Sequence, residues 1–338
     1  MSRRLVGAAL AMPLLFAIVP AAAAPEDAPP AADEDWQAPR TAWGDPDLRG
    51  KWPVDYLGQT PRERPPQFGN RRYLTDEEYQ AAVEHAQAQL DRYDEEQKAG
   101  TMGMGHWAER GLPLRQTSMV VEPENGRYPP LTEEGKRLKA AERTSWNTEV
   151  FDSMEDFGIF DRCITRGMPS SMLPGAYNAG IELFQAPGLV AINLEMIHET
   201  RMIYLDGRDA PPPEVTDYLG YSRGHWEGDT LVIESTNFTP GASAGPAPNS
   251  DKLHIVEHLT PVGPNEIHYE AWVEDPVVMT GRYKIDIPWR RDEDYGMFEY
   301  ACHEGNVQVR GYITATSPRF AKMRDANWAS AEDGEETK

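Results

Sequence analysis

The fold is decided by residues 253–275, which read LHIVEHLTPVGPNEIHYEAWVED. Apolar and polar residues alternate in 253–259 and again in 266–274, and this period of two is typical of β-strands with one buried face. The stretch between them, 261–265, is rich in proline and glycine and has the composition of a turn. The sequence therefore predicts an antiparallel hairpin here.

The same alternation, interrupted by turn residues, begins at about residue 180. It predicts eight antiparallel strands, at residues 181–186, 189–195, 200–205, 221–227, 229–236, 253–261, 266–274 and 278–288. Eight strands joined mostly by short turns are typical of an up-and-down, lipocalin-like β-barrel with room for one small ligand. An open sheet or a two-sheet sandwich is the alternative.

Four segments are expected along the chain. Residues 1–24 have a charged start, an apolar stretch and a small-residue end, which is the pattern of a secretory signal peptide. Residues 25–150 form an N-terminal arm with a helical segment, 151–318 form the barrel domain, and 319–338 form a polar tail. We therefore expect a periplasmic or secreted protein.

Helices are predicted in the arm, and two or three are expected around the barrel. Thr75 and Glu78 have the spacing of a capping box, so a helix is predicted from Thr75 to about Lys98. Thr132 is a good N-cap for a second helix that ends at about Arg143.

The charge balance excludes one class of partner. The chain has 55 acidic against 33 basic residues and a net charge of -22, whereas nucleic-acid binding needs clustered Lys and Arg. After the signal peptide, no segment approaches the length of about 18 apolar residues that a membrane span needs. We expect a small-molecule ligand or substrate, no nucleic acid and no membrane span.

The two cysteines, Cys163 and Cys302, are expected to pair, because export exposes them to an oxidising compartment. The alternative is a thiol nucleophile at Cys302 next to His303. A crosslink would gather a polar cluster, made of Asp161, Arg162, Arg166, His303 and Glu304. That cluster is either catalytic or a polar latch at one end of the barrel.

Four motifs resemble a large group of exported bacterial proteins. They are DLRGKW at 47–52, RCITRG at 162–167, HWEGDTLVIE at 225–234 and YACHEGN at 300–306. The resemblance implies homology and export, and it transfers no catalytic residue. Within the first motif, Gly50-Lys51-Trp52 also resembles the lipocalin signature at the first barrel strand.

Alternation places Glu257 on the apolar face of its strand and Tyr269 on the apolar face of the next one. If these faces point inward, desolvation favours a proton-carrying carboxyl of the kind that acid–base catalysis uses, and Tyr269 can hydrogen-bond it or a ligand. The structural alternative is a glutamate paired with an interior arginine such as Arg201.

The catalytic candidates are Glu257, Tyr269, His198, Arg201 and His303. The substrate-binding candidates are Arg162, Arg166, Glu199 and His254. His254 and His258 are four residues apart, which on a strand separates them by about 13 Å and prevents a shared metal ion. No metal and no cofactor is predicted, because the sequence has no nucleotide motif, haem attachment motif or metal cluster. A metal site assembled from residues distant in the sequence is the alternative.

Ser222 lies in Gly-Tyr-Ser-Arg-Gly, which matches the nucleophile elbow of hydrolases. That motif needs a helix after the serine, and a hairpin is predicted instead. The leading hypothesis is therefore an exported lyase or isomerase that uses acid–base catalysis in a barrel cavity on a partly hydrophobic, aromatic or sugar-derived substrate. The alternatives are a lipocalin-like carrier without catalysis and a serine or thiol hydrolase.

Overall fold

A ten-stranded β-sheet dominates the computed structural model, which describes residues 36–103, 106, 108, 111–243 and 245–323. The strands are β1 Gly50–Lys51, β2 Val120–Glu122, β3 Ile181–Ala186, β4 Leu189–Leu194, β5 Thr200–Tyr204, β6 Tyr221–Glu227, β7 Thr230–Thr236, β8 His254–Gly263, β9 Glu266–Glu274 and β10 Tyr283–Arg290. The sheet curls strongly into a half-barrel, which confirms the predicted mainly β, barrel-like fold. The predicted signal peptide and residues 324–338 of the predicted tail lie outside the described residues.

The strands follow each other in the order β1-β3-β4-β5-β6-β7-β8-β9-β10-β2. From β3 to β10, neighbours in the sheet are therefore neighbours along the chain. Every pair is antiparallel except β5–β6, which is parallel and pairs Ile203 with Ser222. The reason is the connection, because residues 205–220 form a long proline-containing loop that returns the chain to the other end of β5.

The inward faces of β8 and β9 have the predicted alternation. Ile255, Glu257 and Leu259 on β8 are 0% exposed, and so is Tyr269 on β9. Leu259 pairs directly with Tyr269 across the two strands, and both belong to the main hydrophobic core. This hairpin therefore contributes its apolar face to the barrel interior.

The last strand begins later than predicted. Asp275 Oδ1 accepts hydrogen bonds from the backbone N–H groups of Val277 and Val278, both at 3.2 Å. Asp275 Oδ2 also accepts from Ser250 N at 2.7 Å. These bonds fold the residues after Asp275 into a turn, so β10 begins at Tyr283.

In the described part of the chain, four α-helices accompany the sheet, namely α1 Asp76–Ala99, α2 Glu133–Ala141, α3 Cys302–Gly305 and α4 Val307–Thr316. The predicted capping box of Thr75 and Glu78 starts α1, and Gly100 ends it with a left-handed φ of 69°. Thr132 Oγ1 caps α2 by accepting from Gly135 N at 2.9 Å. Within the described residues, no helix is long and apolar enough to cross a membrane.

Candidate functional site

Glu257 lies inside the barrel, where it forms an ion pair with Arg201. The two terminal nitrogens of Arg201 donate to Glu257 Oε1 at 3.1 Å and to Oε2 at 2.6 Å. The Tyr269 hydroxyl donates to Glu257 Oε1 at 2.8 Å. Arg201 Nη2 also donates to Ser222 and Ser235, at 3.3 and 3.2 Å. Glu257 is therefore paired with an interior arginine, which is the structural alternative that the sequence analysis gave for it.

This interior network is closed to solvent. The side chains of Arg201 and Glu257 are 1% and 0% exposed, and the Tyr269 ring stacks on Trp289 at 4.7 Å between centroids. Burial opposes the charge of Arg201, but the charge and hydrogen bonds of Glu257 outweigh it and raise the pKa of Arg201 above its ordinary value. Burial and the Glu257 charge also raise the pKa of Tyr269 well above its usual range. Within the network, the charge of Arg201 is therefore compensated by the charge of Glu257.

Ser222 and Cys302, the candidate nucleophiles of a hydrolase, are both engaged with other side chains. Ser222 is 3% exposed, and its Oγ lies 2.8 Å from Ser235 Oγ. It sits within β6, which turns directly into β7. Cys163 and Cys302 form the predicted disulfide, with Cα atoms 5.8 Å apart, so both sulfurs are used in the crosslink.

A cavity of about 590 Å³ opens at one end of the barrel, and we call it the rim cavity. The loops before β3, after β4 and after β7 meet there with part of the segment 142–166. Its volume falls in the range typical of small-molecule sites, about 300–1,000 Å³. Its wall includes three arginines and four aromatic residues, namely Arg143, Arg162, Arg166, Trp146, Phe157, Phe160 and Tyr177.

Arg162 and Arg166 border the rim cavity, and neither forms an ion pair with a carboxylate among the described residues. The exposed Glu155 lies near Arg162, because a hydrogen bond from Ser153 and, to a smaller extent, the charge of Arg162 lower the pKa of Glu155. Arg162 Nε is buried and has no hydrogen-bond partner. The guanidinium of Arg166 makes one long contact, from Nη1 to the Leu173 carbonyl oxygen at 3.5 Å. Burial and the neighbouring Arg62 lower the pKa of Arg166 to about 10, so Arg166 stays charged at neutral pH.

The other charged groups in the cavity wall have protein partners. Asp161 accepts from Ser145 N at 2.9 Å, from Ser145 Oγ at 2.6 Å and from Gly158 N at 3.0 Å. Ion pairs join Glu142 to Lys139 at 2.6 Å and Arg143 to Asp156 at 2.9 Å. The charges of the wall without an ion-pair partner among the described residues are therefore those of Arg162, Arg166 and Asp161, so cations are in excess by one.

Residues 295–306, which we call the C-terminal strap, run along the same end of the barrel. The strap is fixed by the disulfide and by hydrogen bonds on either side of it. Tyr295 Oη donates to Glu195 Oε2, and Asn306 Nδ2 donates to the Asp161 carbonyl oxygen, both at 2.8 Å. Because Asp161 and Cys163 flank Arg162, the strap anchors the backbone that carries this arginine.

Glu199 lies next to the backbone of Arg166. Thr165 Oγ1 donates to Glu199 Oε2 at 2.8 Å. Burial raises the pKa of Glu199 to about 7, against the opposing hydrogen bonds from Thr165 and the Arg166 backbone. A carboxyl that titrates near neutral pH is suited to acid–base catalysis. The side chain of Arg166 borders the cavity, and Glu199 lies outside the lining residues.

The three candidate histidines lie outside the cavity lining. His198 is exposed, and its Nδ1 lies 3.0 Å from the Tyr300 carbonyl oxygen in the strap. His254 is on the outer face of β8, 3.0 Å from Glu234 Oε1. His303 is exposed on α3. Of the predicted polar cluster, Asp161, Arg162 and Arg166 are brought together in the cavity wall.

One group of described residues has the composition of a metal site. His268, Glu270 and Asp286 bring their ligand atoms within 4.8 Å of one another. Two cations already compensate this group, because Arg72 and Lys284 contact Asp286 and Glu270, each at 2.5 Å. A divalent ion would have to displace both.

The aromatic side chains that line the rim cavity were not predicted from the sequence. Phe157 and Phe160 precede the RCITRG motif by a few residues, and that proximity was the available signal. Trp146 and Tyr177 come from separate loops, and no local pattern connects them with Arg162. Comparisons of the chain with protein-family models, curated proteins and solved structures give no match.

Proposed function

We propose that the protein binds a small, partly hydrophobic anion in the rim cavity. The observation that carries this proposal is the pair of cavity arginines, Arg162 and Arg166, neither of which forms an ion pair with a carboxylate among the described residues. A guanidinium presents a planar fork that matches a carboxylate or phosphate group. The anionic group of the ligand supplies the missing counter-charge.

The overall charge strengthens this argument. In a chain of net charge -22, acidic side chains are plentiful, yet the nearest one in the wall, Asp161, is bound to Ser145 and Gly158. The field of so acidic a protein repels anions at long range. A ligand must therefore gain affinity from close contacts, which the apolar lining around Phe157 and Phe160 provides.

A binding function of this kind is sufficient for a lipocalin-like carrier. Carriers need an apolar pocket with a few orienting polar groups, and the rim cavity has both. The site of the proposed carrier lies at the end of the barrel, because the interior is filled by the Glu257 network and by core residues such as Trp289.

Replacing each arginine by methionine tests the proposal, because the variant keeps the length of the side chain and removes its charge. Arg162→Met and Arg166→Met are each expected to weaken binding of naphthoate and of phenyl phosphate by roughly 10-fold or more, measured by calorimetry. Arg223→Met is the matched control, since Arg223 pairs with Glu234 at 2.9 Å outside the cavity lining. Unchanged affinity in both cavity variants, or no binding of either probe to the wild type, contradicts the proposal.

We propose acid–base catalysis of lyase or isomerase type as a second candidate function. The specific observation is Glu199, whose pKa of about 7 and position next to the Arg166 backbone suit a proton acceptor behind an anion-binding group. In this version of the acid–base hypothesis, Glu199 replaces Glu257 as the proton-transfer residue, because Glu257 is committed to Arg201.

Proton exchange distinguishes the enzyme from the carrier. A panel of small carboxylates is incubated with the protein in deuterium oxide, and mass spectrometry detects deuterium on carbon. An enzyme is expected to exchange or convert at least one of them, and Glu199→Gln is expected to lower that rate about 100-fold while binding is kept. Exchange that persists in Glu199→Gln contradicts the role of Glu199, and binding without any exchange favours the carrier.

We also propose export to the periplasm or the medium. The disulfide supports an oxidising compartment, and the signal pattern at 1–24 supports secretion. Cell fractionation is expected to find the crosslinked protein outside the cytoplasm, with a mature N-terminus near residue 25. Uncleaved, reduced protein in the cytoplasm contradicts this proposal.

A further inference from the structure

Trp146 is the most exposed of the large hydrophobic side chains in the described part of the chain, at 92%. It also borders the rim cavity. Single exposed apolar residues are common on protein surfaces, but this one stands at the opening of a ligand-sized cavity lined by Phe157 and Phe160. Its indole ring is therefore available to whatever enters the cavity.

The backbone under this exposed ring is held in place. Trp146 N donates to Thr144 Oγ1 at 3.2 Å, and Thr144 N donates to Asn147 Oδ1 at 2.8 Å. The preceding residue, Ser145, donates to the Asp161 carboxylate through both its N–H and its hydroxyl, at 2.9 and 2.6 Å. The indole ring of Trp146 is therefore exposed, whereas hydrogen bonds hold the loop that carries it.

The same Asp161 couples the ring to the arginines. Asp161 immediately precedes Arg162, and its carboxylate holds the loop that carries Trp146. Asp161 therefore links the loop that carries Trp146 to the segment that carries Arg162. A preorganised pair of this kind spends little conformational entropy when a ligand binds.

We propose that the ligand is an aromatic carboxylate whose ring lies against Trp146 while its carboxylate binds Arg162 and Arg166, and this inference rests on the proposed anion-binding function. Aromatic rings stacked or edge-on to an indole gain affinity beyond that of the buried area alone. A sugar acid needs free polar groups for its hydroxyls. The polar side chains Asp161, Glu142 and Arg143 of this cavity already have protein partners.

Two carboxylates of similar size test the inference, namely naphthoate and its saturated counterpart, decalin carboxylate. Calorimetry is expected to show that naphthoate binds the wild type about two- to tenfold more tightly. Trp146→Ala is expected to remove that preference, and Trp146→Phe to keep most of it. Phe298→Ala is the control, because Phe298 is 72% exposed and lies outside the cavity lining.

The outcomes separate this inference from the proposed function. If both carboxylates bind equally, or glucuronate binds as tightly as naphthoate, and Arg162→Met still weakens them, the aromatic specificity is wrong and anion binding stands. If Trp146→Ala leaves the preference intact, the role of Trp146 is wrong. If no carboxylate binds the wild type, the proposed function itself fails.

Discussion

Arginine side chains have different partners in the barrel interior and at the rim cavity. In the interior, Arg201 is bonded to Glu257 through two nitrogens and to two serine hydroxyls. At the rim, neither Arg162 nor Arg166 forms an ion pair among the described residues, and Arg166 has one long contact to a carbonyl oxygen. Arg162 and Arg201 both have a buried Nε without a hydrogen-bond partner, so the contrast lies in the ion pair. A buried charge with its counter-charge is compensated within the protein, whereas a charge without one favours an external anion.

Glu257 in the interior and Glu199 at the rim show a related contrast. Glu257 accepts hydrogen bonds from Arg201 and from Tyr269. Glu199 accepts from Thr165, and burial raises its pKa to about 7. Interior charges are therefore compensated in pairs, and rim charges are left able to interact with a proton or a ligand.

Breaking the interior pair is expected to have the largest effect. Glu257→Gln leaves the Arg201 charge buried and uncompensated, so the free energy of unfolding in urea is expected to fall by about 3–5 kcal/mol. A loss below about 1 kcal/mol contradicts the structural role of the pair.

A second variant separates the lost pairing from lost packing. Arg201→Met combined with Glu257→Leu removes both charges and keeps apolar volume, so it is expected to recover most of the stability that Glu257→Gln loses. The remaining deficit is expected to be about 1–2 kcal/mol, because the Tyr269 hydroxyl loses its acceptor. A double variant as unstable as Glu257→Gln contradicts this account.

The disulfide is expected to affect stability and the rim together. Cys163→Ser with Cys302→Ser opens a crosslink between residues 139 positions apart, and it is expected to lower the free energy of unfolding by about 2–4 kcal/mol. Because the crosslink anchors the backbone next to Arg162, naphthoate binding by calorimetry is expected to weaken several-fold as well. Unchanged binding means that the Asp161 hydrogen bonds alone position Arg162.

The barrel was predictable because its signals are local. Alternation along one strand determines which side chains share a face, so Glu257 and Tyr269 could be assigned to the interior from the sequence. The parallel β5–β6 pair was not predictable in this way, since it depends on the path of residues 205–220. Turn chemistry also outweighed alternation after Asp275, where β10 begins late.

The rim cavity was predictable only in part. The expected disulfide led to Arg162 and Arg166, because a crosslink brings its flanking residues together. The aromatic side chains were missed, since Trp146 and Tyr177 reach the cavity from separate loops. Which arginine has a partner also depends on three-dimensional packing: Arg201 pairs with Glu257, whereas Arg166 has one long contact to Leu173.

Glu199 predicts a pH dependence of moderate size. Its pKa is about 7 in the folded protein against 4.5 for an ordinary glutamate, so folding favours the protonated form. The stabilising contribution is present below about pH 4.5 and is lost as the pH rises through 7. Glu199→Gln is expected to match the wild type near pH 4.5 and to exceed it at pH 8 by on the order of 1 kcal/mol, discounted for partial exposure. Thermal melts between pH 4.5 and pH 8 measure the difference in stability between Glu199→Gln and the wild type. A difference that does not change with pH contradicts the prediction.

The smallest effect on stability is expected at the rim, where a matched substitution tests the comparison directly. Arg166→Met removes a guanidinium whose pKa is lowered to about 10 by burial and by Arg62, so the folded state already disfavours this charge. The variant keeps the apolar stem of the side chain and loses only the long contact to Leu173. Its free energy of unfolding in urea is therefore expected to stay within about 0.5 kcal/mol of the wild type or to rise slightly. Arg201→Met, by contrast, leaves Glu257 buried without its partner and is expected to cost about 3–5 kcal/mol. If the two variants lose similar stability, Arg166 is a structural residue like Arg201, and the distinction between a compensated interior and a ligand-binding rim does not hold.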